Sequence, residues 1–178
     1  MNNNLLIINE LKYWQLATKR IFDIFFSVIG IIIFIVPLVL AFILASFDTG
    51  MNGIYSQKRV GRYGKKFKGF KIRTMKNIEG VTTTITTLND KRITALGRIF
   101  RKFKIDELPQ LINVFMGTMS FVGPRPDVEG FDDKLTDEDR LILTIRPGIT
   151  GPASINYRNE ENLLSNTENT LTLNQDIF

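Results

Sequence analysis

An uncharged apolar run near the N-terminus dominates the hydrophobic pattern of this 178-residue chain. Residues 24–47 contain no Asp, Glu, Lys or Arg. These 24 positions exceed the roughly 20 residues that a helix needs to cross a bilayer. Pro37 lies near the middle of the run, where it removes a backbone donor and bends or breaks a helix. The run therefore predicts a membrane-embedded helix that is interrupted at Pro37.

Three membrane topologies are compared for this run: a signal peptide, a single-pass anchor and a re-entrant helix. A signal peptide fits poorly, because the run exceeds an ordinary signal core and no small-x-small cleavage site precedes Asp48. A single-pass anchor is the stronger alternative. Both flanks are basic, however, with Lys19 and Arg20 before the run and a cluster over 58–66 after it, whereas the positive-inside rule places cations on one side. We therefore favour a helix that breaks at Pro37 and returns to the same face.

Beyond the run, the pattern predicts a small α/β domain of mostly short helices with one β-hairpin. Alternation over Ile54–Val60 and Lys66–Ile72, separated by glycines, predicts the two hairpin strands. Apolar residues at helical spacing over Leu96–Phe103 predict an amphipathic helix. Its apolar side lies either in a membrane surface or over an ordinary core. A further helix is predicted to begin at Asp106 as N-cap and to end at Gly117.

The remaining segments are predicted to be loops or a short helix. Residues 77–90 are polar and rich in threonine, which predicts a mobile loop. Residues 120–126 contain two prolines that fix φ, which predicts a rigid loop that presents Arg125 from extended backbone. A short helix is predicted over Asp137–Thr144. Leu5–Gln15 is either an interfacial helix with aromatic rings at headgroup level or a flexible tail.

Charge is divided unevenly along the chain. Between Lys58 and Lys104, fifteen Lys or Arg residues stand against two acids, whereas from Asp127 to the end eleven acids stand against four bases. The basic middle segment predicts an anionic partner. The chain has no Cys and no His, which excludes thiolate chemistry, a Ser-His triad and a zinc or iron site built on imidazole or sulfur. A metal would therefore have oxygen ligands, which favours magnesium, manganese or calcium.

Asp106 and Glu107 are the candidate catalytic acids. Adjacent carboxylates at a predicted helix N-terminus suit a nucleophile or a magnesium ligand, because the dipole and free amides stabilise an anion there. Arginines near carboxylates, without His, suit phosphoryl chemistry. The alternative is structural, with Asp106 as a helix cap and Glu107 paired to a lysine. The cations near the acids in sequence are Arg98, Arg101, Lys102, Lys104, Arg125 and Arg146.

Four stretches in order carry a resemblance to a known family. They are residues 19–23 (KRIFD), 57–75 (QKRVG to KIRTM), 92–126 (RIT through DELPQL to VGPRP) and 146–151 (RPGITG). Together, over residues 19–160, they resemble the monotopic phosphoglycosyl transferases, bacterial sugar transferases that start glycan assembly on polyprenol phosphate. The resemblance implies transfer of a sugar 1-phosphate from a UDP-sugar to polyprenol phosphate with release of UMP, as the first membrane step in assembling a glycoconjugate such as an exopolysaccharide.

The resemblance also implies a role for each matched residue. Asp106 matches the nucleophile, which attacks the β-phosphorus and carries the phosphosugar as a covalent intermediate before polyprenol phosphate attacks it. Glu107 matches the partner acid, and the two carboxylates are the expected Mg²⁺ ligands. Asp23 is expected to cap or pair where the helix meets the membrane. Phosphate or nucleotide binding is expected of Arg101, Lys71, Arg73, Arg125, Arg146 and Arg158, and lipid phosphate or headgroup binding of Lys19 and Arg20.

The resemblance implies three regions: an N-terminal interfacial segment over 1–18, a re-entrant membrane helix over 19–48, and a cytosolic, membrane-seated catalytic domain over 49–178. The expected location is the cytoplasmic face of the bacterial inner membrane. Expected partners are the UDP-sugar, polyprenol phosphate and an anionic membrane, without nucleic acid. The sequence does not identify the oligomeric state, and a homodimer is one candidate.

The sequence departs from the family pattern in three places, of which the one at residues 152–156 leaves the substrate open and the one at Val36 leaves the helix break to Pro37 alone. Val36 precedes Pro37 where a serine is common, and residues 152–156 (PASIN) replace a common Trp-Ala-Gln. The family also leads us to expect a terminal helix beyond Phe178. Two rival functions remain at this point. One is transfer of the sugar without its phosphate, which releases UDP, and the other is a non-enzymatic basic protein that binds anionic lipid or nucleic acid.

Overall fold

The computed structural model describes residues 13–78, 90–126, 139–152 and 155. The mixed α/β class that the pattern predicts is confirmed. The elements in chain order are helix α1 (Tyr13–Thr49), strands β1 (Ile54–Val60) and β2 (Lys66–Ile72), helices α2 (Ala95–Lys102) and α3 (Gln110–Met116), and strands β3 (Ser120–Val122) and β4 (Gly148–Thr150). Short 3-10 helices cover Arg62–Gly64, Ile105–Glu107 and Asp139–Thr144.

Helix α1 has the length and apolarity of a membrane-embedded helix. It has 37 residues, and only 11% of its most apolar 18-residue window is buried against the rest of the described chain. Helical structure continues through Pro37, so the proline does not end the helix. A bend at Pro37 and a re-entrant path stay predictions. Residues 13–18 of the interfacial segment predicted over 1–18 belong to α1, and residues 1–12 lie outside the described residues.

Strands β1 and β2 form the predicted antiparallel hairpin with the predicted bounds. The pairing runs from Ile54 opposite Ile72 to Val60 opposite Lys66. The turn between the strands includes Gly64 at a φ of +71°, a left-handed conformation that glycine adopts without a steric cost.

The hydrophobic core lies between the hairpin, α2 and the C-terminal half of α1. Ala41 and Ala45 are buried one helical turn apart on α1, and their small side chains let Ile72 and Phe100 approach the helix closely. Burial of a large apolar side chain such as Ile72 or Phe100 stabilises a fold by about 1.5–3 kcal/mol. This half of α1 is therefore part of the folded domain.

The N-terminal half of α1 contacts a different part of the domain. At Gly30, an added Cβ would lie 3.2 Å from Leu111 of α3, so the absence of a side chain allows close packing. Asp23, 1% exposed, accepts hydrogen bonds from Ser120 Oγ at 3.0 Å and from the Phe121 N–H at 3.2 Å. Its second oxygen lies 3.8 Å from Lys19 Nζ, so the expectation that Asp23 pairs at this end of the helix is confirmed. Both halves of α1 are thus fastened to the same domain.

Strands β3 and β4 form a parallel pair where loops were predicted. Ser120 lies opposite Gly148, and Val122 lies opposite Thr150. The two backbones meet at glycines: an added Cβ would lie 2.2 Å from Gly123 N at Gly148, and 2.2 Å from Gly123 O at Gly151. Strands of three residues are too short to show alternation, so the pattern of the sequence does not reveal this pair.

Three local predictions need correction or fall outside the described residues. The helix predicted from Asp106 begins at Gln110, and Asp106 lies instead in a 3-10 helix without capping a longer one. The reason is that Lys104 adopts a left-handed φ of +57°, which turns the chain tightly before the acids. The helix predicted over Asp137–Thr144 is a 3-10 helix over its described part, from Asp139. Most of the loop predicted over 77–90 lies outside the described residues.

Candidate active site

The acid pair lies on the 3-10 helix between α2 and α3. Gly117, with a φ of +82°, ends α3 as predicted, and the acids lie at the other end of that helix. Asp106 is 7% exposed, and its Oδ1 accepts no hydrogen bond from the part of the chain that the structure describes. A buried carboxylate oxygen without a donor keeps its lone pairs available for a ligand or a bond to an electrophile.

The electrostatic environment of Asp106 combines burial with nearby charges. Burial raises the pKa of Asp106, and Glu107 raises it further by repulsion. Lys71 opposes this shift most strongly, with smaller contributions from Arg101 and Lys104. The net result is a pKa above the ordinary value of 3.8, which makes this carboxylate more basic than a solvated one.

Glu107 lies in a different electrostatic environment from its neighbour. Burial favours its neutral form, but Lys71, Lys104 and Arg125 together outweigh burial and hold the pKa of Glu107 below its ordinary value. Lys71 Nζ donates a hydrogen bond to Glu107 Oε1 at 3.2 Å, and Lys104 Nζ lies 4.0 Å from the same oxygen. The two adjacent carboxylates therefore differ in their electrostatics. The pKa of Asp106 is raised, whereas the pKa of Glu107 is lowered, which favours its ionised form.

Three of the predicted phosphate-binding cations act on this acid pair. Lys71 of β2 contacts Glu107 directly. Arg101, near the end of α2, lowers the pKa of Asp106 through its charge, and Arg125, in the segment after β3, does the same for Glu107. The hairpin, α2 and the β3 segment thus each contribute a cation.

Arg73 lies beside the hairpin rather than on the acids. Its Nε donates to the Asn52 carbonyl at 2.7 Å, and its guanidinium lies 5.4 Å from the centre of the Tyr55 ring. Tyr55 is the cross-strand partner of Lys71, so Arg73 contacts a neighbour of the site rather than the acids. Its role in nucleotide binding stays a prediction.

Arg146 lies at the opposite end of α3 from the acids. Its Nε donates to the Gly117 carbonyl at 2.9 Å. Burial, and repulsion from Arg20 and Arg62, lower its pKa. The structure therefore does not bring Arg146 together with Asp106, and Arg158 lies outside the described residues.

Lys19 and Arg20 bind backbone at the same end of the domain. Arg20 donates to the carbonyls of Val114 and Phe115, each at 2.7 Å. These are among the last carbonyls of α3, and the Val114 carbonyl also accepts from the Gly117 N–H at 3.0 Å. Lys19 donates to Ser120 Oγ and, at 3.0 Å, to the Val122 carbonyl. Contact of either residue with a lipid phosphate stays a prediction.

Thr74 is a site residue that the sequence analysis missed. Its carbonyl accepts from the Thr94 N–H at 3.1 Å, and its Oγ1 accepts from Arg101 Nε at 3.0 Å. Thr94 is also the N-cap of α2, since its Oγ1 accepts from the Gly97 N–H at 2.9 Å. Thr74 thus fixes both ends of the helix that carries Arg101. Its polar side chain just after the apolar end of β2 is the signal that could have identified it.

The acid pair offers oxygen donors of the kind that a divalent cation binds. Mg²⁺ is commonly held by one or two carboxylates together with substrate phosphates and waters. The unsatisfied Oδ1 of Asp106 is an oxygen donor of the right kind, and Glu107 is an adjacent ionised carboxylate. No group of three or more Asp or Glu residues gathers within the described ranges, so a cage made of protein carboxylates is not formed there.

The site and the fold together indicate a class of protein. A buried basic carboxylate, an ionised neighbour and three cations suit an enzyme that acts on a phosphorylated substrate. The long apolar helix α1 is bound to the same domain, which is the arrangement of a membrane-associated enzyme. Residues 14–176 match the family described as bacterial sugar transferase. The chain belongs to this family and is therefore a transferase, which sets aside the non-enzymatic alternative.

Similar proteins have names that refer to undecaprenyl phosphate or exopolysaccharide. A Bacillus subtilis (strain 168) protein, provisionally named an undecaprenyl-phosphate N-acetylgalactosaminyl 1-phosphate transferase, is 42% identical over 132 residues, 74% of each chain. The exopolysaccharide production protein ExoY of Rhizobium meliloti (strain 1021) is 34% identical over 158 residues, 80% of this chain and 70% of that protein. The undecaprenyl-phosphate galactose phosphotransferase of Salmonella typhimurium is 38% identical over 158 residues, 80% of this chain and 33% of that longer protein.

Proposed function

We propose that the protein transfers a sugar 1-phosphate from a UDP-sugar to undecaprenyl phosphate or a similar polyprenol phosphate, and releases UMP. The names of the similar proteins support the lipid acceptor and the transferred group. The single observation that carries the mechanism is Asp106 Oδ1, a buried and basic carboxylate oxygen without a hydrogen-bond donor among the described residues.

In the proposed first step, an Asp106 oxygen attacks the β-phosphorus of the UDP-sugar. A bond forms between that oxygen and phosphorus, and the bond from phosphorus to the bridging oxygen breaks, so UMP leaves with the electron pair. The raised pKa of Asp106 makes its carboxylate a better nucleophile than a solvated carboxylate. Lys71, Arg101 and Arg125 offset negative charge around the two phosphates.

In the proposed second step, an oxygen of polyprenol phosphate attacks the phosphorus of the aspartyl phosphosugar. The bond to the carboxylate oxygen breaks and Asp106 is restored, while the lipid product carries a diphosphate linked to the sugar. Each step exchanges one P–O bond for another, so no oxidant or further reactant is required.

Mg²⁺ is the proposed cofactor, held by Asp106 and Glu107, and it would supply charge neutralisation at the phosphates when bound. Glu107 suits this duty because Lys71, Lys104 and Arg125 keep it ionised. Lys71, which bonds Glu107, would hold its carboxylate in a fixed orientation.

A re-entrant path for α1 at the cytoplasmic face belongs to the same proposal. Residues 32–37 are exposed on every face of the helix, whereas Asp23 on one side and Ala45 on the other are buried against the same domain. A proline-centred bend at Pro37 accounts for this pattern, because the middle of the helix leaves the domain and both halves return to it. The bend would place the acids near the headgroups, where a lipid phosphate and a soluble nucleotide can both reach them.

The topology can be tested by labelling with a membrane-impermeant thiol reagent. The chain has no native cysteine, so single-cysteine variants at Asn3 and Asn52 give clean signals. Both positions should be labelled from the cytoplasmic side in oriented vesicles. Labelling from opposite sides would restore the single-pass anchor.

The chemistry can be tested by incubating the full-length protein with candidate UDP-sugars and Mg²⁺, without lipid acceptor. Intact-mass and peptide spectra should show one phosphohexose added on Asp106, with UMP released. Asp106→Asn should give neither adduct nor turnover, while the matched control Asp48→Asn should keep both. Release of UDP would instead establish sugar transfer without phosphate, and turnover by Asp106→Asn would refute the nucleophile.

A further inference from the structure

Asn113 is a fully buried polar residue of α3 that no step of the proposed reaction uses. It is 0% exposed. Its Oδ1 accepts a hydrogen bond from the Phe70 N–H at 3.0 Å, and its Nδ2 donates to the Lys68 carbonyl at 2.8 Å and to Thr118 Oγ1 at 3.2 Å. All three partners lie outside α3, so the side chain connects α3 with the hairpin and with the segment that precedes β3.

The hydrogen bonds of Asn113 with Lys68 and Phe70 satisfy backbone groups on the edge of β2 that faces away from β1. Strand β1 pairs one edge of β2, and the Asn113 amide binds a carbonyl and an N–H on the other. A side-chain amide has the same donor and acceptor as a peptide group, so it can continue the ladder by one unit. Aspartate lacks the donor and leucine lacks both groups, and each buried group left unsatisfied costs about 1–3 kcal/mol.

The two elements that Asn113 joins contain or adjoin the two partners of the Lys71–Glu107 pair. Lys71 directly follows Phe70 on β2, and α3 begins three residues after Glu107. The Lys71–Glu107 hydrogen bond of 3.2 Å connects the same two parts of the fold. A shift of β2 along α3 by about 1 Å would lengthen this 3.2 Å contact or force Lys71 into a different rotamer. The position of Lys71 therefore depends on what fixes β2 against α3.

We propose that Asn113 is a positioning residue whose side-chain amide fixes β2 against α3 and thereby keeps Lys71 on Glu107 during sugar-phosphate transfer. This inference rests on the proposed function, because it gives the Lys71–Glu107 pair a duty in that reaction. Displacement of a catalytic group by about 1 Å reduces a rate by about a hundredfold. Asn113→Ala should therefore lower kcat by about 10- to 100-fold, with a smaller effect on KM for the UDP-sugar.

A double-mutant cycle between Asn113 and Lys71 tests the inference. The full chain in lipid nanodiscs is assayed as wild type, Asn113→Ala, Lys71→Met and the double variant, with Thr118→Val as control. If Asn113 acts through Lys71, the double variant should be no slower than Lys71→Met alone. Thr118→Val should keep the wild-type kcat, because it leaves both bonds to β2 intact.

Other outcomes overturn the inference. Reductions in kcat that multiply in the double variant would show that Asn113 acts independently of Lys71, and an unchanged kcat in Asn113→Ala would show no positioning duty. Circular dichroism and thermal unfolding establish that each variant folds. Asn113→Ser, which keeps one hydroxyl for β2, replaces Asn113→Ala in the cycle if the alanine variant does not fold. If the serine variant also fails to fold, Asn113 supports the whole fold and the inference is wrong.

Failure of the inference can be distinguished from failure of the proposed function. The product released by the wild type, UMP or UDP, tests the reaction without any change at Asn113. If the wild type releases UMP and forms the Asp106 adduct while the cycle shows multiplied effects, the positioning duty alone is refuted.

Discussion

Replacement of Gly97 by alanine should slow the reaction even though alanine is the better helix former. Gly97 lies in α2, and an added Cβ would stand 2.2 Å from the Thr74 carbonyl oxygen. Contacts under 3.0 Å are essentially never found for Cβ atoms, so α2 and Thr74 must separate by at least 0.8 Å. Alanine gains about 1 kcal/mol of helix propensity over glycine, whereas overpacking costs about 1–3 kcal/mol, so the net effect should be destabilising.

The separation should also displace Arg101, because Thr74 Oγ1 accepts the hydrogen bond from its Nε. A displacement of this size at a catalytic group lowers kcat by about a hundredfold. Turnover with the UDP-sugar that labels Asp106, together with the thermal unfolding midpoint in detergent, measures both effects. Gly69→Ala is the matched control, because its Cβ would meet Arg59 Cγ at an ordinary 3.4 Å. A raised midpoint with full activity in Gly97→Ala would refute the reasoning.

Three further changes give distinct results. Asp106→Asn should raise the unfolding midpoint at neutral pH, because a carboxyl whose pKa is raised by burial destabilises the fold when it is ionised. This gain in stability should vanish in acid, below the ordinary pKa of 3.8. A lower midpoint at neutral pH would contradict the prediction. Lys71→Met should shift the acid limb of the kcat–pH profile to higher pH, since Lys71 is the main charge that lowers the pKa of Asp106; an unmoved limb would refute this. Arg20→Met should destabilise the protein by about 1–2 kcal/mol in denaturant unfolding, because two charge-assisted hydrogen bonds to the end of α3 are lost, although the Gly117 N–H still binds the Val114 carbonyl. An unchanged midpoint would refute this.

The hairpin and α2 could be predicted because their signals are local. Alternation over seven residues fixes each strand, and a glycine turn joins strands that are neighbours in sequence. The parallel pair of β3 and β4 could not be predicted in this way, because its strands are three residues long and 25 residues separate Val122 from Gly148. The sequence signal for this pair is the three glycines Gly123, Gly148 and Gly151. They allow the two backbones to approach closely, but this role becomes clear only when the partner strand is known.

The acid pair could be identified from sequence, but its surroundings could not. Asp106 was expected to be stabilised as an anion at a helix N-terminus, whereas it is buried on a 3-10 helix and its pKa is raised. The left-handed Lys104 that causes this belongs to a residue type that rarely adopts such a conformation.

Arginines posed a second problem for prediction. A guanidinium binds phosphate oxygens and the carbonyls at a helix end by the same donors, so residue type does not separate the two duties. Arg101 and Arg125 act on the acids, whereas Arg20 and Arg146 bind carbonyls at the far end of α3. Only the fold assigns each arginine to its place.

The attachment of α1 at both ends limits how this protein can be made soluble for biochemistry. Removal of the residues before Gly50 would expose the side chains of Ile72 and Phe100 to solvent, and it would remove the Arg20 donor at the end of α3. Such a fragment should collect in inclusion bodies rather than behave as a free catalytic domain. Polar substitutions within residues 32–37, which are exposed throughout, are the better route to a detergent-free enzyme.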